Sequence, residues 1–461
     1  MSSNSSLHIV IFPFMSKGHI IPMLNLTRLL LLRHGITVTI FTTRANSPFI
    51  RQSLSVQHPI NIVELEFPAD IPELPPGVES TDRLPSMSLF VPFANATKLM
   101  QSDFERVLEN LSESSGVSCI ISDGFFGWTQ QSAEKLGIPR LVFYGMNNYV
   151  MTICRVLALD RSHLKLGPDE SFTVPGFPSV KLTKNDFDPE FNEPEPKGPH
   201  IEFVMEVAIA TSKSQGLLVN SFSELEPAYL DYWNREFCPK AWCVGPLCLA
   251  EPPKVHRDQK PEWIKFLDLK SAEDRSVLYV AFGSQAEISE EQLREIAVGL
   301  ERSEVCFLWV VRSKVEGLEE RVEGRGLVVR EWVDQVEILR HESVKGFMSH
   351  CGWNSTMESI CASVPILAWP MMAEQPLNAR MVADELGVGL RIVANNGSVR
   401  GFVGSEIVEK MVRELMEGEE GKEARKKVKD IGEAATEAME GGSSWRTLDQ
   451  LIDETCRKKN P

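Results

Sequence analysis

Long apolar runs are missing from this chain. The run Leu29 to Leu32 is short and sits inside an amphipathic pattern, far below the about 20 residues that cross a bilayer, so no membrane span is expected. Residues 1–6 are polar and lack the charged-then-apolar layout of a secretory leader, and a cytoplasmic protein is expected. Cysteine pairing signals are missing as well. The nine cysteines are an odd number and include no C-x-x-C. Cys238, Cys243 and Cys248 are evenly spaced without a histidine cluster, so free thiols in a reducing compartment are expected and a metal site is not. No G-x-G-x-x-G follows a strand pattern, and Gly387-Val388-Gly389 is too short a match, which disfavours a nicotinamide dehydrogenase. Positive charge is scarce: the net charge is -16. Arg425-Lys426-Lys427 and Lys429 lie among Glu419, Glu420 and Glu423, the pattern of a solvated helix face. Nucleic acid and anionic membrane are therefore not expected partners.

The 461 residues, 43% apolar and 24% charged, fit about two globular domains. Residues 7–12 read as a buried strand ended by Pro13, residues 20–33 as a helix and 36–41 as a second strand, a βαβ unit and hence a parallel sheet. The pattern returns as a strand at 117–122, a helix at 128–136 and a strand at 139–144. A second series follows, with strands at 277–282, 307–311, 344–348 and 366–369 and helices at 289–302 and 355–362. Proline-bearing stretches 68–92 and 186–199 read as surface loops. The polar, proline-bearing residues 249–261 read as a linker. The expected division is an N-terminal domain over 1–248, the linker, a C-terminal domain over 262–440 and a terminal helix within 441–461.

Chemistry concentrates between Trp332 and Gln375. Trp332-Val333-Asp334-Gln335 is followed by His350-Cys351-Gly352-Trp353-Asn354-Ser355, then Glu358, then Glu374-Gln375. Aromatic, imidazole, amide, hydroxyl and carboxylate groups at turns suit a ligand with a base, a ribose, a diphosphate and a sugar. Ligands of open α/β sheets bind at the carboxyl ends of strands, and a helix start there offers N–H groups and a positive dipole end. Asn354 and Ser355 fit either helix caps or phosphate ligands. Trp332, Trp353 and Trp369 fit core packing as well as a ligand platform, and Glu358 fits a capping box as well as a ribose contact. Earlier in the chain, His19 stands in Gly18-His19-Ile20-Ile21-Pro22, between the first strand and first helix. Asp123 closes another strand and precedes Gly124, as a turn former also would.

The block Trp332 to Gln375, with Tyr279-Val280-Ala281-Phe282-Gly283-Ser284 and Val244-Gly245-Pro246-Leu247, resembles the signature of the plant family-1 UDP-dependent glycosyltransferases along essentially the whole chain. The resemblance implies the α/β GT-B fold, two doubly wound Rossmann-like domains facing across a cleft. It implies that Trp332 stacks on uracil, that the Val333 backbone bonds its edge, and that Gln335 and Glu358 hold the ribose. Ser284, His350, Asn354 and Ser355 would hold the diphosphate, and Trp353, Glu374 and Gln375 the sugar. A terminal Gln375 resembles glucose-using members. Gly18-His19 with Pro22 matches the family's general base, Asp123 its orienting partner, and Lys17 stands where Gln is commoner.

The implied activity is an inverting transfer of glucose from UDP-glucose to a hydroxyl of a small lipophilic acceptor, of flavonoid, phenolic or terpenoid class, giving a β-glucoside. UDP-glucose is the donor co-substrate, with no cofactor or metal expected, and a monomer is expected. Phe90, Phe93, Phe125, Phe126 and Tyr149 are candidate acceptor walls. C-glucosylation, a UDP-sugar epimerase or hydrolase, and a catalytically silent UDP-sugar-binding module are the alternatives. The terminal helix is expected to return to the N-terminal domain.

Overall fold

Six apolar-rich residues, all buried, make the first strand, β1 (Leu7–Phe12), as a parallel strand covered on both faces requires. A computed structural model of the chain describes residues 7–54, 60–250, 260–283, 285–312, 317–394 and 401–456, with only the backbone of Glu319. These form two compact units. The first lies within Met1–Thr152, Pro196–Pro252 and Glu437–Pro461, the second within Ile153–Glu195 and Pro253–Thr436. Residues 153–195, assigned from sequence to the first half, thus group with the second. The linker expected at 249–261 falls mostly on residues 251–259, outside those described.

In the first unit β1 is joined by β2 (Ile36–Thr43), β3 (Asn61–Leu65), β4 (Cys119–Asp123) and β5 (Arg140–Tyr144). After a two-stranded antiparallel pair in the second unit, β6 (Phe172–Val174) and β7 (Phe177–Leu182), the first sheet continues with β8 (Gly216–Val219) and β9 (Ala241–Cys243). Its order is β3-β2-β1-β4-β5-β8-β9, and every pairing is parallel. Strand order reverses between β1 and β4, where Phe12 faces Ser122. Such a switch point opens a crevice at the carboxyl ends of the strands.

Alternate residues of β1 feed opposite cores. Ile9 and Ile11 pack with Val38 and Ile40, while Val10 and Phe12 pack with Phe41, Phe104 and Phe126. The first core also takes Leu448, Leu451 and Ile452 from the chain's last described segment, each contributing about 1.5–3 kcal/mol when fully buried. That segment is the helix Ser443–Leu451 and a further turn, Ile452–Cys456; residues 457–461 lie outside those described. It is tied down by Arg33, whose guanidinium sits 4.2 Å from the Trp445 ring centroid and donates to Asp449 at 2.5 Å.

The second unit repeats the plan with β10 (Val277–Ala281), β11 (Cys306–Val310), β12 (Gly326–Val329), β13 (Val344–Ser349), β14 (Ile366–Ala368) and β15 (Gly389–Arg391). The order is β12-β11-β10-β13-β14-β15, all parallel, and the reversal falls between β10 and β13. Among the described residues no helix is long and apolar enough to cross a membrane.

Candidate active site

The helix expected to start at residue 20 starts earlier, at Lys17–Leu31. Ser16 takes the extended N-cap conformation and its carbonyl accepts from the N–H groups of His19 and Ile20, at 2.9 and 2.8 Å. His19 therefore stands in the first helical turn, at the switch point of the first sheet. Lys17 beside it donates its backbone N–H to Asp82 at 2.9 Å, and its ammonium lies 5.8 Å over the Phe49 ring.

Asp123 is the last residue of β4. Its Oδ2 meets His19 Nδ1 at 2.7 Å, with the carboxylate 2% exposed and the imidazole 25%. A carboxylate only accepts, so Nδ1 carries the shared proton and Nε2 is left as the basic nitrogen. The other oxygen, Oδ1, accepts from the Phe125 N–H at 2.9 Å. Both carboxylate oxygens are thus oriented, one by the turn that follows and one by the histidine.

The same turn brings the Phe125 ring to 4.9 Å from the His19 ring. Phe90 lies 5.4 Å from Phe125, and Phe203 lies 5.6 Å from both. Phe90 and Phe125 are half-buried and keep surface for a ligand. Phe93, Phe126 and Tyr149, offered from sequence as acceptor walls, are at most 1% exposed. Phe93 and Phe126 fill the core and Tyr149 packs edge-on against Tyr229, so their rings have no face left for a ligand. Phe203 was not singled out by residue, although it lies in the stretch 184–204 that reads as a candidate acceptor wall; which side chain of that stretch faces the histidine follows from the helix Pro199–Lys213.

In the second unit the helix expected from Ser355 is Trp353–Cys361, with Gly352 as N-cap and no side-chain cap. Asn354 and Ser355 are its second and third residues, so neither is the cap. The start carries three backbone N–H groups, from Trp353, Asn354 and Ser355, which intrahelical bonds do not use. Asn378 Nδ2 donates to the Cys351 carbonyl at 2.9 Å and braces the turn, in which Cys351 has a φ of 63°. His350 fills a space left by two glycines: a Cβ at Gly283 would come within 2.8 Å of its Nε2 and one at Gly352 within 2.6 Å. Desolvation pushes the imidazole down to about 4, against a smaller opposing effect of the Ala281 carbonyl, so at neutral pH it is an uncharged donor and acceptor.

Gln335, Ser355 and Glu358 come together. Gln335 Nε2 donates to Ser355 Oγ at 2.8 Å and to Glu358 Oε2 at 2.7 Å, and its Oε1 accepts from Tyr279 at 3.2 Å. Glu358 is therefore held by Gln335 from the preceding helix; a capping box at Ser355 is not formed. Trp332 is 64% exposed, unlike a core tryptophan, whereas Val333 beside it is buried. Trp353 and Trp369 are buried, at 2% and 3%, so Trp353 can offer a ligand its backbone but little of its ring. Gln375 Oε1 accepts from the N–H groups of Met371 and Met372 at 2.9 and 3.0 Å, which fixes the amide orientation and leaves Nε2 to donate. Glu374 is the N-cap residue of the helix Gln375–Arg380. Ser284 lies outside the described residues.

Two strand-order reversals, one carrying His19 against the buried Asp123 carboxylate and one carrying a glycine-capped helix start and the neutral His350, define a two-unit α/β protein equipped for proton abstraction and anion binding. Family comparison fits this. Residues 233–428 match the family of UDP-glucoronosyl and UDP-glucosyl transferases, and residues 5–249 match the glycosyltransferase N-terminal domain. UDP-glycosyltransferase 90A1 of Arabidopsis thaliana is 53% identical over 470 residues, spanning 98% of this chain and 97% of that protein. UDP-glucose flavonoid 3-O-glucosyltransferase 7 of Fragaria ananassa is 36% identical over 482 residues, spanning 98% and 96%. The structure of Phytolacca americana UGT2 complexed with UDP-2fluoro-glucose and pterostilbene superposes with a TM-score of 0.80 at 29% identity, covering 97% of this chain and 99% of that one. The chain belongs to the plant family-1 UDP-glycosyltransferases and has their GT-B fold; it is a UDP-glycosyltransferase.

Proposed function

We propose that this enzyme transfers glucose from UDP-glucose to a hydroxyl of a small lipophilic acceptor, with inversion, giving a β-glucoside. The observation that carries the chemistry is the 2.7 Å contact between His19 Nδ1 and the buried Asp123 carboxylate. It leaves His19 Nε2 to take the acceptor proton as the acceptor oxygen attacks the anomeric carbon from the face opposite UDP. Asp123 holds the ring and stabilises the imidazolium that forms, as in other His–Asp pairs. The transition state has oxocarbenium character. The departing diphosphate gains charge, which the N–H groups at the start of Trp353–Cys361 and the neutral His350 stabilise as preorganised donors.

Uracil stacks on the exposed Trp332, with the Val333 backbone at its edge and the ribose against Gln335 and Glu358. The glucose assignment rests on Gln375, whose amide is held donor-outward and so meets sugar hydroxyls as acceptors, with Glu374 accepting from others. A phenolic or flavonoid acceptor is supported by the half-buried Phe90 and Phe125 near His19 and by the flavonoid and pterostilbene named for the two relatives. No cofactor is proposed.

The test is His19→Ala with UDP-glucose and a panel of phenols, flavonoids and terpenoid alcohols, read by mass spectrometry. Transfer is expected to fall by ~10²-fold or more, the range of general-base catalysis, with UDP affinity unchanged. Near-normal transfer by that variant overturns the assignment.

A further inference from the structure

One buried cation takes no part in the chemistry above. Arg140 opens β5 and is 2% exposed, inside a strand that otherwise reads Leu-Val-Phe-Tyr. All its hydrogen bonds in the structure go to neutral oxygens. Nε donates to Ser122 Oγ at 2.7 Å and Thr129 Oγ1 at 2.9 Å. Nη1 donates to Ser214 Oγ at 2.7 Å. Nη2 reaches the carbonyls of Asp123 at 3.3 Å and Phe126 at 3.4 Å. Burial lowers its pKa to about 10, with Tyr144 and Asp123 acting against that, so it remains a cation at neutral pH.

A buried cation without a bonded carboxylate is costly, and an apolar residue would pack this strand at lower cost. The geometry of its contacts indicates what the cation does. The two carbonyls it reaches begin and end the turn Asp123-Gly124-Phe125-Phe126, and that turn supplies the N–H that fixes Asp123 Oδ1. The same turn sets the Phe125 ring against His19. Ser214 is the C-cap of the helix Pro199–Lys213, which carries Phe203. One planar guanidinium therefore ties the end of β4, the turn after it and the end of that helix into one frame, as a rigid fork of donors can.

We infer that Arg140 is a positioning residue for the transfer reaction: it holds the 123–126 turn so that the Asp123 carboxylate keeps His19 in its reactive tautomer and orientation. The inference rests on the general-base reading of His19. If it holds, Arg140 acts through Asp123, and its loss costs nothing more once Asp123 can no longer orient the ring.

The experiment is a double-mutant cycle of Arg140→Met with Asp123→Asn, reading kcat, donor KM and UDP affinity. Arg140→Met alone should lower kcat about 10-fold or more with donor KM and UDP Kd unchanged, and Arg140→Lys should recover part of the loss. In the Asp123→Asn background, Arg140→Met should add less than about twofold. Ser214→Ala, which removes a single bond to the guanidinium, gives a milder version if Arg140→Met does not fold, with the same absence of further loss beside Asp123→Asn. An equal loss in both backgrounds, or a kcat unchanged by both Arg140→Met and Ser214→Ala, overturns the inference. Full activity of Asp123→Asn itself instead overturns the general-base reading.

Discussion

Replacing Gly352 by alanine tests the proposed diphosphate site through one methyl group. A Cβ at this position would stand 2.6 Å from His350 Nε2, whereas ordinary contact begins near 3.4 Å. The imidazole must therefore retreat by about 0.8 Å, and a misplacement of about 1 Å at a binding group can cost 10²-fold. The backbone does not oppose the substitution, because Gly352 has φ -56° and ψ 139°, a conformation open to alanine. Losing glycine at the N-cap should cost about 1 kcal/mol of helix stability, a melting shift of about 2–4 °C for a unit of this size.

The expected outcome is a folded protein whose UDP affinity falls by about 10- to 100-fold, roughly 1.4–2.7 kcal/mol. Titration calorimetry with UDP and a thermal melt measure both quantities on one preparation. The reasoning fails if UDP binds within twofold of the parent while the melt shifts as expected, because His350 would then have moved without the ligand noticing. Gly283→Ala is the poorer probe: its φ of 78° adds backbone strain to the same steric effect.

Trp332→Ala should leave stability within about 0.5 kcal/mol, since the ring is exposed, yet weaken UDP about 10-fold or more, the scale of losing one base–aromatic stack; unchanged UDP affinity would remove the indole from the site. Asp186→Ala should destabilise the second unit by about 1–3 kcal/mol, because it removes a buried carboxylate whose two oxygens accept from Arg380 at 3.0 and 3.1 Å and leaves that guanidinium only its weaker pairing with Asp384 at 3.2 Å; a loss below about 0.5 kcal/mol in denaturant melts would refute that weight. The His350 imidazole, lowered to about 4 from 6.5, binds fewer protons folded than unfolded. Its share of stability should therefore decline as pH falls from about 6.5 toward 4, and His350→Asn should flatten that slope in melts across this range.

The doubly wound halves were legible because buried parallel strands read as short apolar runs, and their centres fall where periodicity puts them. The helix at Trp353–Cys361 was misread at its start: Asn and Ser look like caps, while the actual cap, Gly352, carries no side-chain signal. The grouping of residues 153–195 was illegible for a different reason. It involves partners far apart in the chain, such as Asp186 and Arg380, and Asp186 sits at the edge of a stretch that reads as a surface loop. Phe125 and Phe126 show the limit most sharply. They are adjacent and chemically identical, yet the turn after β4 sends one ring toward His19 and the other into the core. Arg140 did leave a signal, a charge inside a buried strand, which points to a polar frame without naming what it frames.

The two sheets explain why one crevice suits a proton and the other an anion. Phe12 faces Ser122 in the first sheet, and Ala281 faces Ser349 in the second, so Asp123 and His350 occupy corresponding places, each one residue past the facing pair. Where the first unit has a buried carboxylate, the second has a neutral imidazole fitted between glycines. A carboxylate at that place repels a diphosphate and strengthens a neighbouring imidazole as a base. A neutral ring there adds hydrogen bonds to a helix start without adding charge. The repeated architecture thus places a different residue at one equivalent position in each unit, a carboxylate that suits the proposed base and a neutral ring that suits the proposed diphosphate site. Asp123→His would carry this logic to its limit: it removes the carboxylate that orients His19, so transfer should be lost, while UDP binding, which the proposed function assigns to the second unit, should persist at the parent affinity. A parallel loss of UDP affinity in calorimetry would refute the independence of the two crevices.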